Sequence, residues 1–420
     1  MEIDLEKLGG PCSCGREHTV AVEEAVVERG AIRRLPGFLS RHGFRSPAVV
    51  CDDNTWRAAA ETVSKLIHPR ASARLSPEGL HANEAGVARA GELLPEDADV
   101  LIAVGSGTVH DITRYIAHER NVPFISVPTA ASVDGFVSTV AAMTWHGFKK
   151  TFPAVSPIAV FADADIFSRA PGRLTASGVS DLLGKYTALA DWKIASLVTG
   201  EPICERVVAL EEKALETVAG CLGEIRSGDP EACAQLMYAL LLSGLAMQMV
   251  GNSRPASGAE HHISHLLEME ILNPRLEAYH GEKVGVGLLI ASRVYHRDAQ
   301  RLRAAQYEVP LYAGPEWGLL RQEIRSDALY EAIRRENEPD PLASVDPQTL
   351  REKIPRIAEI LEAVPTEDAL RGFLVRAGAP ASLSDIGADE NLREKLVRLS
   401  PYVRNRLTYM RLRKLLVLKA

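Results

Sequence analysis

Residues 98–117 read ADVLIAVGSGTVHDITRYIA, and this stretch decides the fold. The apolar run from Val100 to Val104 gives a buried strand, Gly105-Ser106-Gly107 a tight turn, and the apolar spacing beyond it a helix starting near Thr108. A helix N-terminus carries backbone N–H groups without intrahelical acceptors at the positive end of its dipole, so such a turn is a ready anion site. Gly105 and Gly107 leave the main chain bare to a phosphate, and Thr108 adds a hydroxyl. The motif lacks the third glycine of the usual dinucleotide fingerprint. Read alone, it is equally well a ligand-free strand-to-helix turn.

Outward from it, AVV around Val49, FISVP at 124–128 and IAVFAD at 158–163 alternate with helical patterns, the rhythm of βαβ units and a parallel sheet. These strands end in CDDNT, GSGT, PTAAS and ADAD, small or polar groups at the carboxyl edge where open α/β sheets bind ligands. Asp52 or Asp53 is placed either to accept from a ribose or to form a turn. In PTAASVDGFVS the small residues leave room for a cofactor along the sheet edge, with Asp134 directed toward it. After PGRLTASG at 171–178 strand patterns stop and three- and four-residue apolar spacing takes over. The expected division is an α/β domain at 1–170 and a helical domain at 171–420, the active site lying in the cleft between them. The basic end, RNRLTYMRLRKLLVLKA, reads as an amphipathic packing helix.

At 420 residues the chain exceeds the roughly 250–300 at which a single core stops growing. With 46% hydrophobic and 25% charged residues it is an ordinary globular sequence. A net charge of -7 excludes long-range attraction for nucleic acid or anionic lipid, so any phosphate site is a local pocket. The N-terminus shows no signal-peptide pattern and the apolar runs are read as too short for a membrane span, which makes the cytoplasm the expected location. Six cysteines are too sparse for a disulfide framework. Cys12, Cys14 and His18 form a C-x-C-x-x-x-H cluster with no fourth ligand in view, and the expectation is that it binds nothing.

In SGAEHHISHLLEME, His261 and His265 stand four apart and share a helix face, while His262 points elsewhere. His280 opens HGEKVGVGLLIA on the next helix, and Asp181, expected near the N-terminus of its own helix, supplies a carboxylate. One Asp and two His leave open positions on Zn²⁺, Ni²⁺ or Fe²⁺ for substrate oxygens; capping and hydrogen-bonded histidines are the competing reading.

Together GSGTVHDITRY, VPTAASVDGFVS, SDLLGKYTALADW, RPASGAEHHISH and HGEKVGVG resemble the sn-glycerol-1-phosphate dehydrogenases, a group within the superfamily of iron-containing alcohol dehydrogenases and dehydroquinate synthase. The resemblance runs from about residue 45 to 300. It implies a Rossmann-like N-terminal domain followed by an all-helical one, with NAD or NADP and a zinc or nickel ion, iron being less favoured. It also implies that Gly107, Thr108, Val109, His110 and Asp111, then Thr129, Ala130, Ala131, Ser132 and Ser138, contact the cofactor, with Asp52 at the adenosine ribose. Asp181, His261 and His280 would bind the metal, and Asp134, His265 and Asp181 would meet the substrate. Arg254, Lys283, His265 and Lys185 are the cations offered to the phosphate of dihydroxyacetone phosphate or glycerol 1-phosphate. A homodimer is the expected assembly. Glycerol dehydrogenase shares HGEKV but acts on an uncharged triol, dehydroquinate synthase needs a basic segment not found here, and a catalytically silent nucleotide-binding protein would not need all three candidate ligands.

Overall fold

The computed structural model describes residues 1–146, 148–269, 276–324 and 326–419. The chain forms two compact units, Met1–Leu182 with Glu216–Asn252, and Leu183–Leu215 with Ser253–Ala420.

The first unit is built on six parallel strands: β1 (Glu24–Glu28), β2 (Pro47–Asp52), β3 (Ala71–Leu75), β4 (Val100–Gly105), β5 (Phe124–Pro128) and β6 (Ala159–Asp163). Their order across the sheet is β1-β6-β5-β4-β2-β3. Alternate residues serve opposite faces: Val100, Ile102 and Val104 pack in one apolar cluster, Leu101 and Ala103 in the other. Burial on both faces explains why these strands read as unbroken apolar runs. β3, ASARL, does not stand out in the sequence because it is a sheet edge and only two of its five residues are buried. From β2 the chain turns to one side, toward β3, and from β4 to the other, toward β5. Asp52 and Gly105 therefore end neighbouring strands at the point where the winding reverses, where such sheets hold ligands.

The helices that matter below are α1 (Gly107–Arg120), α2 (Gly172–Leu183), α3 (Lys185–Thr199), α4 (Glu205–Gly220), α5 (Pro230–Val250), α6 (Ala259–Glu268), α7 (His280–Arg303) and α8 (Pro347–Ala363). In the second unit α7 is flanked by two apolar clusters, one joining Ile194, Val294, Ile354 and Leu361, the other Ile263, Leu266, Val286 and Leu399.

Two expectations are corrected. α5 has 21 residues and is long and apolar enough to cross a bilayer, contrary to the reading that all apolar runs fall short; 72% of its apolar window is buried within the protein, as in a core helix. The chain end is not one amphipathic helix. Tyr409–Leu412 makes a single turn, and Val417–Leu418 pairs antiparallel with Tyr307–Glu308. Buried Arg411 explains the break, since it bonds the Asn337 side chain (2.8 Å), the Pro401 carbonyl (2.9 Å) and Asp340 (2.9 Å) instead of lying on a solvated face.

Candidate active site and metal centre

The β4–α1 turn uses its two glycines differently. A Cβ on Gly105 would lie 2.5 Å from that of Val109, so strand and helix pack too closely for any side chain there. A Cβ on Gly107 would meet nothing nearer than Val133 at 3.5 Å, so its bareness serves no internal packing. The N-cap residue Ser106 makes no side-chain capping bond, and the first N–H groups of α1 keep their capacity to hold an anion. Val109 and His110 face inward, each 1% exposed, so a ligand reaches them only through the main chain. The His110 ring contacts the Ser106 carbonyl (2.9 Å) and Ser126 Oγ (2.7 Å), bracing the turn against β5; burial pushes its pKa down to about 3. Asp52 Oδ1 accepts from the amides of Asn54 (2.8 Å) and Thr55 (2.7 Å), capping the helical turn after β2 from a position beside β4.

The loop after β5 is held from three sides. Thr129 donates its amide to the Gly105 carbonyl at 3.0 Å. Ala130, Ala131 and Ser132 are buried, and α2 crosses them at Gly178, where a Cβ would fall 2.0 Å from the Ala131 carbonyl oxygen. Arg114, a residue the sequence reading passed over, lies buried on α1 and donates to the carbonyls of Gly135 (2.7 Å), Phe136 (2.9 Å) and Val140 (3.1 Å), with Asp111 at 3.0 Å. Its only sequence signal is an arginine on the apolar side of a helix. The Asp134 amide donates to Asp181 Oδ2 (3.0 Å), and Ser243 donates to Asp134 Oδ2 (3.1 Å). Ser138 turns its hydroxyl to the amide and carbonyl of Val140, at 3.0 and 2.9 Å.

In the second unit α6 carries His261 and His265 one turn apart, and His280 is the first residue of α7. Gly287 lets α7 lie against α6: a Cβ there would be 2.5 Å from the Glu260 carbonyl oxygen. The three imidazoles gather, ring centres 5.3 Å apart for His261 and His280, 6.1 Å for His261 and His265, and 6.2 Å for His265 and His280. His261 Nδ1 meets Glu260 Oε1 at 2.7 Å, and His280 Nδ1 meets Glu268 Oε1 at 3.2 Å. An imidazole that donates its Nδ1 proton to a carboxylate carries its lone pair on Nε2, the tautomer of a metal ligand with an oriented second shell. Neither carboxylate was singled out from sequence, although both stand in the AEHHISHLLE segment. Glu260 is fixed by the Thr187 hydroxyl (2.5 Å) and the Gly258 amide (2.6 Å); burial raises its pKa, but these bonds and that of His261 hold it below the usual value.

Asp181, wholly buried, lies in the last turn of α2 rather than near a helix N-terminus, because α2 already starts at Gly172. Asp181, His261 and His280 each offer one ligand atom, and the three atoms lie within 4.8 Å of one another. One carboxylate and two imidazoles of this tautomer fit a divalent ion of borderline softness.

A family model for iron-containing alcohol dehydrogenases matches residues 26–171. The protein of Geobacillus stearothermophilus named glycerol-1-phosphate dehydrogenase [NAD(P)+] is 36% identical over 97% of this chain and 96% of its own length. This chain belongs to the glycerol-1-phosphate dehydrogenase family. Its namesake from Bacillus licheniformis is 41% identical over 69% of this chain and 75% of its own length. Among solved structures, sulfoacetaldehyde reductase of Bifidobacterium kashiwanohense in complex with NAD+ aligns with a TM-score of 0.60 at 18% identity, covering 93% of this chain and 94% of the other. A probable glycerol dehydrogenase of Sinorhizobium meliloti gives 0.59 at 18%, covering 92% and 90%; both share the fold.

Of the cations expected from the sequence at a phosphate, Arg254 and Lys283 are paired within the protein. Arg254 bonds both carboxylate oxygens of Glu201, through Nε at 2.6 Å and through Nη2, and the Leu407 carbonyl at 2.7 Å. Lys283 pairs with Glu268 at 3.1 Å. Burial holds His265 well below the usual histidine value, so it is a neutral hydrogen-bonding group rather than a cation. Lys185 is wholly buried at the start of α3. Arg406, also missed from sequence, bonds the Ser257 carbonyl (2.6 Å) and Ser253 Oγ (2.7 Å), fixing the segment that leads into α6.

Proposed function

We propose that this chain is an NAD(P)-dependent, metal-dependent sn-glycerol-1-phosphate dehydrogenase that reduces dihydroxyacetone phosphate to glycerol 1-phosphate. The observation that carries the reading is the grouping of Asp181, His261 and His280, with a carboxylate behind each imidazole. The names of the relatives support the substrate and cofactor class. When bound, the divalent ion supplies Lewis acidity at the substrate oxygen and the nicotinamide supplies the reducing equivalent.

The chain's own groups do the rest. The amides of Gly107 to Asp111 would hold the cofactor pyrophosphate, aided by Thr108, with Thr129 to Ser132 and Ser138 as further cofactor contacts and Asp52 at the ribose. Gly105 keeps the turn tight enough for this. Asp181 both ligates the ion and, through the Asp134 amide, positions the loop whose Asp134 carboxylate orients a substrate hydroxyl. His265, neutral, hydrogen-bonds the substrate beside His261. Arg254 acts on the phosphate only by sharing itself with Glu201, so its contribution is smaller than that of an unengaged arginine. Zinc or nickel is the ion, the cytoplasm the location and a homodimer the assembly of this reading.

Oxidation of NADH or NADPH on addition of dihydroxyacetone phosphate to metal-loaded protein is the expected result, with loss of at least about two orders of magnitude in Asp181→Asn. Turnover of glycerol with no response to the phosphorylated ketone would refute the substrate assignment.

A further inference from the structure

The N-terminal cluster, incomplete in sequence, gains a fourth member in the fold. Cys12, Cys14, His18 and Cys204 each offer a ligand atom, and all four atoms lie within 4.8 Å of one another. The first three sit on a small hairpin in which Gly10 pairs with His18 and Pro11 with Glu17. Its turn is closed by the Cys12 amide on the Arg16 carbonyl and the Gly15 amide on the Cys12 carbonyl, both at 3.0 Å. Gly15 has φ +82°, which only glycine adopts without strain, so the sequence C-x-C-G is what lets Cys12 and Cys14 face the same point. Cys204 immediately precedes α4 and is 4% exposed; His18 is 1% exposed.

We infer that Cys12, Cys14, His18 and Cys204 form a structural zinc site, separate from the Asp181, His261 and His280 set. Two further distances agree with it. The His18 Nδ1 lies 2.6 Å from the Met249 carbonyl, a main-chain acceptor that fixes the Nδ1–H tautomer and turns Nε2 to the cysteines. Cys14 Sγ and His18 Nε2 are 3.5 Å apart. Tetrahedral zinc with bonds of about 2.3 Å to sulfur and about 2.0 Å to nitrogen separates such a pair by about 3.5 Å. Three sulfurs and one nitrogen complete a tetrahedron with no position left for substrate, so the ion holds structure and does no chemistry. Binding releases the thiol protons to solvent and leaves every oxidation state unchanged. A disulfide would use only two of the three sulfurs and give the oriented imidazole no role.

The test loads the full-length protein, purified under reducing conditions, with Co²⁺. A thiolate site gives strong sulfur-to-cobalt charge-transfer absorption in the near ultraviolet and tetrahedral ligand-field bands in the red, whereas a carboxylate and two imidazoles give no sulfur band. We expect that band in the wild type and in Asp181→Asn, and its loss, with about one equivalent of metal, in the Cys12→Ser/Cys204→Ser double variant. Because the band requires sulfur, its outcome is independent of whether the dehydrogenase reading holds. Should the double variant not fold, stepwise blocking of thiols with a mercurial in zinc-loaded wild type gives the same answer, since zinc must appear in solution as the cysteines react. Absence of the sulfur band from folded, cobalt-loaded wild type, an unchanged band in the folded double variant, zinc retained after all thiols are blocked, or a disulfide among Cys12, Cys14 and Cys204 in unreduced protein each overturns the site.

Discussion

His110 and Glu260 show how single side chains set the chemistry around them. His110 is neutral because burial removes the solvation that a charged ring needs, and its pKa falls from 6.5 to about 3. A base depressed in the folded state contributes stability that is complete above pH 6.5 and lost as pH falls toward the folded value, by at most about 1.4 kcal/mol per pH unit. Urea unfolding from neutral pH down to about pH 5 should therefore show a steeper acid loss in the wild type than in His110→Asn, which has no proton to take up. Parallel curves for the two proteins would contradict the neutral-ring account. Glu260 Oε1 receives both His261 Nδ1 and the Gly258 amide, so Glu260→Gln keeps an acceptor there only by turning its NH2 to the Thr187 hydroxyl, and it removes the negative charge behind His261; about a 10- to 100-fold drop in metal affinity is expected in competition with a chelator. Both residues stand in segments singled out from sequence, yet their partners Ser126 and Thr187 become known only when α1 has been set against β5 and α6 against α3.

At the level of elements, glycines decide how closely helices approach the loops that carry function. Gly178 sits in the middle of α2, where propensity disfavours it, because the Ala131 carbonyl occupies the place of its side chain. Gly178→Ala must push apart two pieces of backbone, and a destabilisation of about 1–3 kcal/mol is expected, with a raised KM for NAD(P)H. Gly372→Ala, in a helix where nothing lies within 4 Å of the added methyl, is the control and should stabilise by about 0.5–1 kcal/mol. Equal thermal midpoints for the two variants would show that the close crossing is not under strain. The strands β2, β4, β5 and β6 were legible because burial on both faces makes them continuous apolar runs. The position of Asp181 within its helix differs from the expectation because SDLLGKY looks like a helix start, while the helix begins at Gly172, eight residues before Ser180.

For the whole molecule, the order of elements in space departs from their order in sequence. Glu216–Asn252 rejoins the α/β unit after the chain has entered the helical one, so α5, the most apolar helix, spends its hydrophobic length in the first unit. Periodicity along a chain carries no record of such a return. The functional reading makes its prediction at this scale too. Exhaustive chelation should abolish ketone-dependent NADH oxidation, restored by zinc or nickel, and chiral analysis should find sn-glycerol 1-phosphate as the product. Full turnover from protein shown to be metal-free, or the sn-3 isomer alone, would defeat it.

The amino-acid sequence by itself determined the parallel sheet, the glycine turn at the end of β4 and the helical spacing of His261 and His265, because each rests on local periodicity and on what a backbone can do without a side chain. Only the tertiary structure decided which carboxylate backs which imidazole, that Arg254 is bound to Glu201, and that Cys204 stands with Cys12, Cys14 and His18. Those depend on residues up to 192 positions apart meeting through packed helices, a distance over which no spacing rule operates.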